Sequence, residues 1–408
     1  MLTIQGELTK IERGTIVTPK GFRAAGIHSG VKRKRNDLGI VYCETPASAA
    51  AVYTMNPVQA APLKVTKESI AKEGKLQAIV VNSGNANACT GKQGIRDAYT
   101  MRRVTAEKFS LPVHYVAVAS TGIIGLDMPM NKIVPGIHQL MPEATEDGAN
   151  QFNEAILTTD LVTKSTCYQT TIDGKPVTMA GSAKGSGMIE PNMATMLAFV
   201  TTDVAIEPDV LQVALKEVTD QTFNCITVDG DTSTNDMVVV MASGLAGNES
   251  LTPNHEDWPH FLGLLRKTCE DLAKAIARDG EGATKLIEVE VTGALNDKEA
   301  VQVAKSIVGS SLVKTAVYGA DANWGRIIVA TGYSGSTINP DTIDVSIGPI
   351  QMLKDSQPLS FSEEEATAYL KRDFVKIAVD LKVGNGVGKA WGCDLTYDYV
   401  RINASYRS

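Results

Sequence analysis

Long apolar runs, paired cysteines, clustered histidines and a surplus of positive charge are all missing from this 408-residue sequence. No stretch approaches the roughly 20 apolar residues of a membrane-spanning helix, and the opening Met-Leu-Thr-Ile-Gln-Gly-Glu lacks the charged and apolar regions of a signal peptide. A cytoplasmic location is the expectation. Six cysteines, Cys43, Cys89, Cys167, Cys225, Cys269 and Cys393, stand singly with no Cys-x-x-Cys spacing, so neither a zinc nor a dithiol site is suggested. A chain with a large core does not need disulfides, and all six are read as reduced and structural. His28, His114, His138, His255 and His260 form no His-Glu-x-x-His or other ligand spacing, and no metal is implied. Lys and Arg number 39 against 46 Asp and Glu, a balance of −7 that argues against nucleic acid or anionic membrane as a general partner. It leaves room for a local basic pocket.

What is present reads as a globular α/β protein. Hydrophobic residues make up 43% and charged residues 21%, and the length suits one large core or two ordinary ones. Leu76-Gln-Ala-Ile-Val-Val-Asn, Tyr115-Val-Ala-Val-Ala-Ser, Met237-Val-Val-Val-Met and Leu286-Ile-Glu-Val-Glu-Val have the pattern of strands. Residues 92–109, 144–157, 208–220, 256–278, 298–307 and 362–373 have the pattern of helices. The order is not a regular βαβ alternation, so layered α and β, with strands packed between helices, is expected rather than a doubly wound nucleotide-binding sheet. Residues 243–256, with Gly244, Gly247, Asn248, Pro253 and Asn254, read as a surface loop.

Two glycine-rich stretches invite a phosphate-binding reading and fail it. Gly384-Asn-Gly-Val-Gly-Lys389 has the wrong first glycine spacing, and Ala390 stands where a P-loop needs Ser or Thr. Lys184-Gly-Ser-Gly187 lacks the third glycine of a dinucleotide turn. The latter opens the segment Lys184-Gly-Ser-Gly-Met-Ile-Glu-Pro-Asn-Met-Ala-Thr-Met-Leu-Ala-Phe199, in which small residues run up to Ala194 and a buried strand begins at Thr195. Read alone, this is a tight turn feeding a core strand. It also places a threonine where cleavage of the preceding bond would make it chain-terminal. A threonine hydroxyl is a poor nucleophile without a base, but an N-terminal threonine carries its own, since an α-amine titrates near ~8.

The segment does not stand alone. Asn82-Ser-Gly-Asn-Ala-Asn-Ala, Ser120-Thr-Gly-Ile-Ile-Gly, Thr158-Thr-Asp, Asp279-Gly-Glu-Gly-Ala-Thr, Gly319-Ala-Asp-Ala-Asn-Trp-Gly-Arg, Ala390-Trp-Gly-Cys-Asp-Leu and Ile402-Asn-Ala-Ser-Tyr accompany it. Together and in this order, the sequence resembles the ornithine acetyltransferase family, also called the bifunctional arginine biosynthesis proteins, over most of its length. The family often ends in threonine; here Ser408 keeps the hydroxyl.

The resemblance implies an α/β/β/α sandwich of the kind shared with self-cleaving aminopeptidases. It also implies cleavage between Ala194 and Thr195 into an alpha chain, 1–194, and a beta chain, 195–408. Thr195 is then the nucleophile that carries acetyl from N-acetylornithine to glutamate. The oxyanion role falls on Thr121 and Gly122, a pairing of hydroxyl and backbone N–H that suits the task, although Ser-Thr-Gly after a strand is by itself an ordinary turn. Thr158 or Thr159, with Thr158 favoured, joins Lys184, Thr195, Glu281, Asn403 and Ser408 in lining the substrate site. A carboxylate at Glu281 suits an ornithine ammonium, and Lys184 an α-carboxylate. Read alone, Glu281 is a solvated acid at a helix end. No cofactor is implied, acetyl-CoA is a possible second donor, and two copies of each chain are suggested. A hydrolase of the same architecture, with water as acceptor, and a non-catalytic binding protein that never processes remain the alternatives.

Overall fold

The computed structural model describes residues 8–190 and 196–405. Nine strands make the first sheet: β1 (Thr9–Lys10), β2 (Phe22–Ile27), β3 (Leu38–Tyr53), β4 (Lys75–Asn85), β5 (Val116–Ile123), β6 (Lys164–Ile172), β7 (Lys175–Lys184), β8 (Leu197–Thr202) and β9 (Met237–Ala242). They run in the order β1-β6-β7-β8-β9-β3-β4-β5, with β2 also paired to β3. Helices α1 (Ala61–Glu73), α2 (Gly91–Phe109), α3 (Met130–Gln139), α4 (Glu146–Ala155), α5 (Pro208–Gln221) and α6 (Trp258–Arg278) cover it.

Strand β3 belongs to two layers. Its first half pairs with β2 and β4, and Ser48–Tyr53 pair with β9; the register slips between Tyr42 and Ala47, around Pro46, which has no N–H for a ladder bond. Side-chain alternation then sorts each half onto two faces. Val41, Leu76, Ile79, Val81, Ala117 and Ala119 meet Ala49, Ala51, Leu197, Phe199, Met237 and Val239 in a central core between the two halves of the sheet. The opposite faces pack outward: Ile40, Val80 and Val118 against α1, α2 and α3, and Val52, Val200 and Val240 against α5 and α6. The result is helix, sheet, sheet, helix, the α/β/β/α sandwich that the resemblance implies. Helix α4 closes one end, Phe152 meeting Phe199 edge-on at 5.6 Å. Thr145 caps it by accepting from Gly148 N–H, and Glu146 and Asp147 occupy its positive first turn.

A second sheet follows, in the order β13-β12-β11-β14-β10-β15. Its strands are β10 (Leu286–Ala294), β11 (Asp344–Ile347), β12 (Ile350–Lys354), β13 (Gln357–Pro358), β14 (Phe374–Asp380) and β15 (Gly386–Cys393). Helices α7 (Asp297–Gly309), α8 (Ser311–Tyr318), α9 (Trp324–Gly332) and α10 (Glu363–Leu370) accompany it, and α11 (Tyr397–Ala404) ends the described chain. Helix α6 links the units, touching β6 and β7 on one side and β10 and β15 on the other.

Each strand and helix read from the sequence lies within or against one of these elements. The structure adds several that were not anticipated: β3, the β6–β7 hairpin, and helices α1, α3, α8, α9 and α11. All six cysteines are unpaired; five are buried as structural residues would be, but Cys89 is exposed after β4, so the structural reading does not hold for it. The expected chain division, 194/195, does not separate two compact units. It falls between β7 and β8, antiparallel neighbours registered from Met179↔Thr202 to Lys184↔Leu197.

Candidate active site

Five strand and helix ends converge at one end of the sandwich. Strand β5 runs parallel to β4 and delivers Thr121 and Gly122 opposite Ser83 and Gly84. Gly122 has φ +132°, and a Cβ there would lie 2.4 Å from the Gly84 carbonyl carbon, so only glycine fits. The asparagine-rich end of β4, together with Asn235, braces this corner. Ser120 Oγ donates to Asn82 Oδ1 (2.6 Å), and Asn235 Nδ2 donates to Ala86 O and Ser120 O (2.5 and 2.8 Å).

Strand β7 ends at Lys184, and a buried ionic cluster fixes the turn beyond it. Lys164 Nζ lies 2.7 Å from Asp160 Oδ1 and 2.6 Å from Asp279 Oδ2, with all three side chains almost fully enclosed. Asp160 also accepts from Thr158 N–H (2.9 Å) and Gly185 N–H (2.6 Å), and its Oδ2 stands 4.0 Å from Lys184 Nζ. Burial alone would raise the Asp160 pKa. Lys184, Lys164 and the hydrogen bonds outweigh it and hold the carboxyl well below the usual range. One carboxylate thus sets the positions of Thr158, Gly185 and Lys184.

Downstream, Asp229 accepts from Met188 N–H (2.7 Å) and Ile189 N–H (2.8 Å), and Thr232 Oγ1 donates to Glu190 O (2.9 Å). Immediately before β8, the Met196 carbonyl accepts from Met237 N–H at 2.9 Å. Glu281 follows α6 and lies directly over Gly187, where a Cβ would come within 2.4 Å of the Glu281 carboxyl carbon. Asn403 Nδ2 donates to Glu281 Oε2 at 2.7 Å. Glu281 is only 7% exposed, so the solvated helix-end reading is corrected.

These groups enclose a cavity of about 260 Å³. Thr121, Gly122, Thr158, Thr159, Lys184, Glu281 and Asn403 all line it, and so do Met196 and Leu197. Ala194, Thr195 and Ser408 lie outside the described residues.

A scan against family models matches residues 23–408 to the ArgJ family. The chain belongs to the ArgJ family. It is 71% identical over 400 residues to the arginine biosynthesis bifunctional protein ArgJ of Halalkalibacterium halodurans, covering 98% of this chain and 97% of that protein. To the protein of the same name from Geobacillus kaustophilus it is 67% identical over 402 residues, covering 98% of each. Among solved structures, ornithine acetyltransferase from Mycobacterium tuberculosis complexed with ornithine is 34% identical, covering 46% of this chain and 100% of that chain with a TM-score of 0.43.

Sequence reasoning missed several groups in this ArgJ-family site. Asp160, Lys164 and Asp279 act on the lining from behind. Asp160 and Asp279 sit inside quoted motifs, whereas Lys164 has no local signature. Ser233, Thr234, Asn235 and Asp236 complete the wall beside Met196. Asp236 is buried, its Oδ2 has no hydrogen-bond partner among the described residues, and desolvation raises its pKa well above the carboxylate norm against the pull of a Ser233 hydrogen bond and Lys184. The dense Asp229-Gly-Asp-Thr-Ser-Thr-Asn-Asp236 run was the available signal.

Separately, Asp173, His255 and Asp257 converge although their spacing suggested nothing. His255 Nδ1 accepts from Asp257 N–H at 3.0 Å and Nε2 meets Asp173 Oδ1 at 2.9 Å, so both ring nitrogens are engaged within the fold. None of the three lines the cavity. Among the described residues no helix is long and apolar enough to cross a membrane.

Proposed function

We propose that this protein is an acetyltransferase of arginine biosynthesis that passes acetyl from N-acetylornithine to glutamate through an acetyl-Thr195 intermediate. The precursor cleaves itself between Ala194 and Thr195. The freed α-amine takes the proton from Thr195 Oγ, which attacks the acetyl carbonyl. Thr121 and Gly122 stabilise the oxyanion. Ornithine leaves, glutamate enters, and its amine attacks the ester to give N-acetylglutamate. Glu281 pairs with the ornithine ammonium, Lys184 with the α-carboxylate, and Thr158, Asn403 and Ser408 supply neutral hydrogen bonds. Acetyl-CoA serves as the second donor, with no metal or organic cofactor. The enzyme works in the cytoplasm as two alpha and two beta chains.

What carries this reading is a single juxtaposition: six of the expected residues, drawn from five separate stretches of chain, line one cavity together with the two residues that follow Thr195. The test combines intact mass with an exchange assay. Thr195→Ala is expected to remain one uncut chain and to lose transfer, while the wild type yields two chains and N-acetylglutamate. Free acetate as the main product, or full transfer by uncut Thr195→Ala, would sink the proposal.

A further inference from the structure

A chain of net charge −7 concentrates Lys32, Arg33, Lys34 and Arg35 in one loop between β2 and β3. The loop is built, not frayed. The buried Asp37 carboxylate accepts from the N–H groups of Ser29 (2.7 Å), Gly30 (3.1 Å) and Lys32 (2.9 Å) and from Ser29 Oγ (2.7 Å). Lys132 Nζ donates to Gly30 O (2.7 Å) and His28 Nε2 contacts Lys32 O (2.9 Å), adding two basic side chains to the same turn.

The loop also borders the cavity. Lys32 Nζ donates to Leu157 O (3.0 Å) and Arg35 Nη1 to Asp160 O (3.3 Å), on either side of the lining residues Thr158 and Thr159. A Cβ at Gly84 would lie 2.9 Å from Lys32 Cγ, and Gly84 is the residue against which Gly122 packs. Only the thickness of one glycine separates the basic loop from the oxyanion corner. Arg33 and Lys34 are exposed and make no hydrogen bond or ion pair among the described residues.

An exposed cationic loop of this kind is not needed for the α-carboxylate of the amino-acid substrates, which the proposed reading gives to Lys184 inside the cavity. It suits a molecule whose acetyl group enters the cavity while a distant polyanion stays outside. We propose that the Lys32–Arg35 loop, with Lys132, binds the phosphate groups of a thioester acetyl donor carried on a phosphorylated nucleotide. This rests on the reading of acetyl-CoA as second donor. In that half-reaction the thioester C–S bond breaks, the acyl carbon bonds to Thr195 Oγ, and the hydroxyl proton ends on the departing sulfur as a free thiol.

Arg33→Ser/Lys34→Ser in the full-length, self-processed enzyme tests this without touching a residue that the fold uses. The KM for acetyl-CoA is expected to rise about tenfold or more with kcat retained, as loss of uniform binding requires. The KM for N-acetylornithine should stay unchanged. S-acetylpantetheine, which lacks the phosphates, should be used equally by wild type and variant, and Arg33→Lys/Lys34→Arg should restore the acetyl-CoA KM. An unchanged acetyl-CoA KM in the variant, or an equal loss with both donors, overturns the assignment while leaving the second-donor reading intact. A wild type that exchanges from N-acetylornithine but takes no acetyl from acetyl-CoA overturns that reading, and this one with it.

Discussion

The oxyanion role proposed for Thr121 and Gly122 would divide one task between a side chain and a backbone, and that division makes them separable. A hydroxyl contributes a rotatable donor; a backbone N–H contributes a fixed one, whose aim depends on glycine at φ +132°. Thr121→Val keeps the shape of the strand end and removes one donor. It is expected to lower kcat by roughly 10²–10³ with little change in KM, since a developing oxyanion exists only in the transition state. Steady-state kinetics of N-acetylornithine turnover check it, and a rise in KM at constant kcat would place Thr121 in ground-state binding instead.

At the scale of elements, the site depends on how β7, the Thr158–Asp160 turn and the end of α6 are tied together. Asp160→Asn removes the charge that Lys164 and Lys184 share while keeping the shape. A buried pair broken on one side costs about 3–5 kcal/mol, and denaturant unfolding should register a loss of that order. The sign with pH follows from the depressed Asp160 pKa. An acid bound more tightly as its anion in the folded state contributes fully above its unfolded pKa, near ~3.9, and loses that contribution as pH falls further. The variant should therefore lose most at neutral pH and approach the wild type in strong acid; a constant deficit would contradict the ionic account.

Which elements were legible in the sequence follows from the same physics. Strands β4 and β9, buried on both faces, are apolar runs that announce themselves, and α2, α5 and α6 carry a helical period. Strand β3 hides because its second half, Glu44-Thr-Pro-Ala-Ser-Ala-Ala-Ala-Val-Tyr53, is alanine-rich and broken by Pro46; alanine suits the narrow space between sheet layers but gives no strand signal by propensity. The β6–β7 turn, Asp173-Gly174 with φ +51° and +68°, does carry the Asp-Gly signature of a two-residue hairpin. Thr121, Lys184 and Glu281 stand out through the resemblance alone, because the roles proposed for them depend on a cavity assembled from distant segments. Lys164 supports that cavity from behind and carries no motif at all.

For the molecule as a whole, the proposed cut severs the chain without severing the sheet. Strand β8 would belong to the second piece, yet it pairs on one side with β7 of the first and on the other with β9 of its own, and β9 in turn pairs with β3 of the first. The two pieces are expected to co-elute as one particle in native size exclusion and to separate only in denaturant. Dissociation of the pieces under native conditions would be incompatible with this arrangement.

That shared sheet also changes the molecularity of folding. Before the cut, β7 and β8 are joined by the chain, and closing the loop between them costs only a modest entropy that does not depend on protein concentration. After it, the same pairing is an encounter between two molecules, so recovery from the unfolded state becomes second order and competes with aggregation of exposed strands. The mature enzyme would then hold its native form by slow unfolding rather than by ready refolding, and self-cleavage would be the step that converts an equilibrium fold into a kinetically retained one.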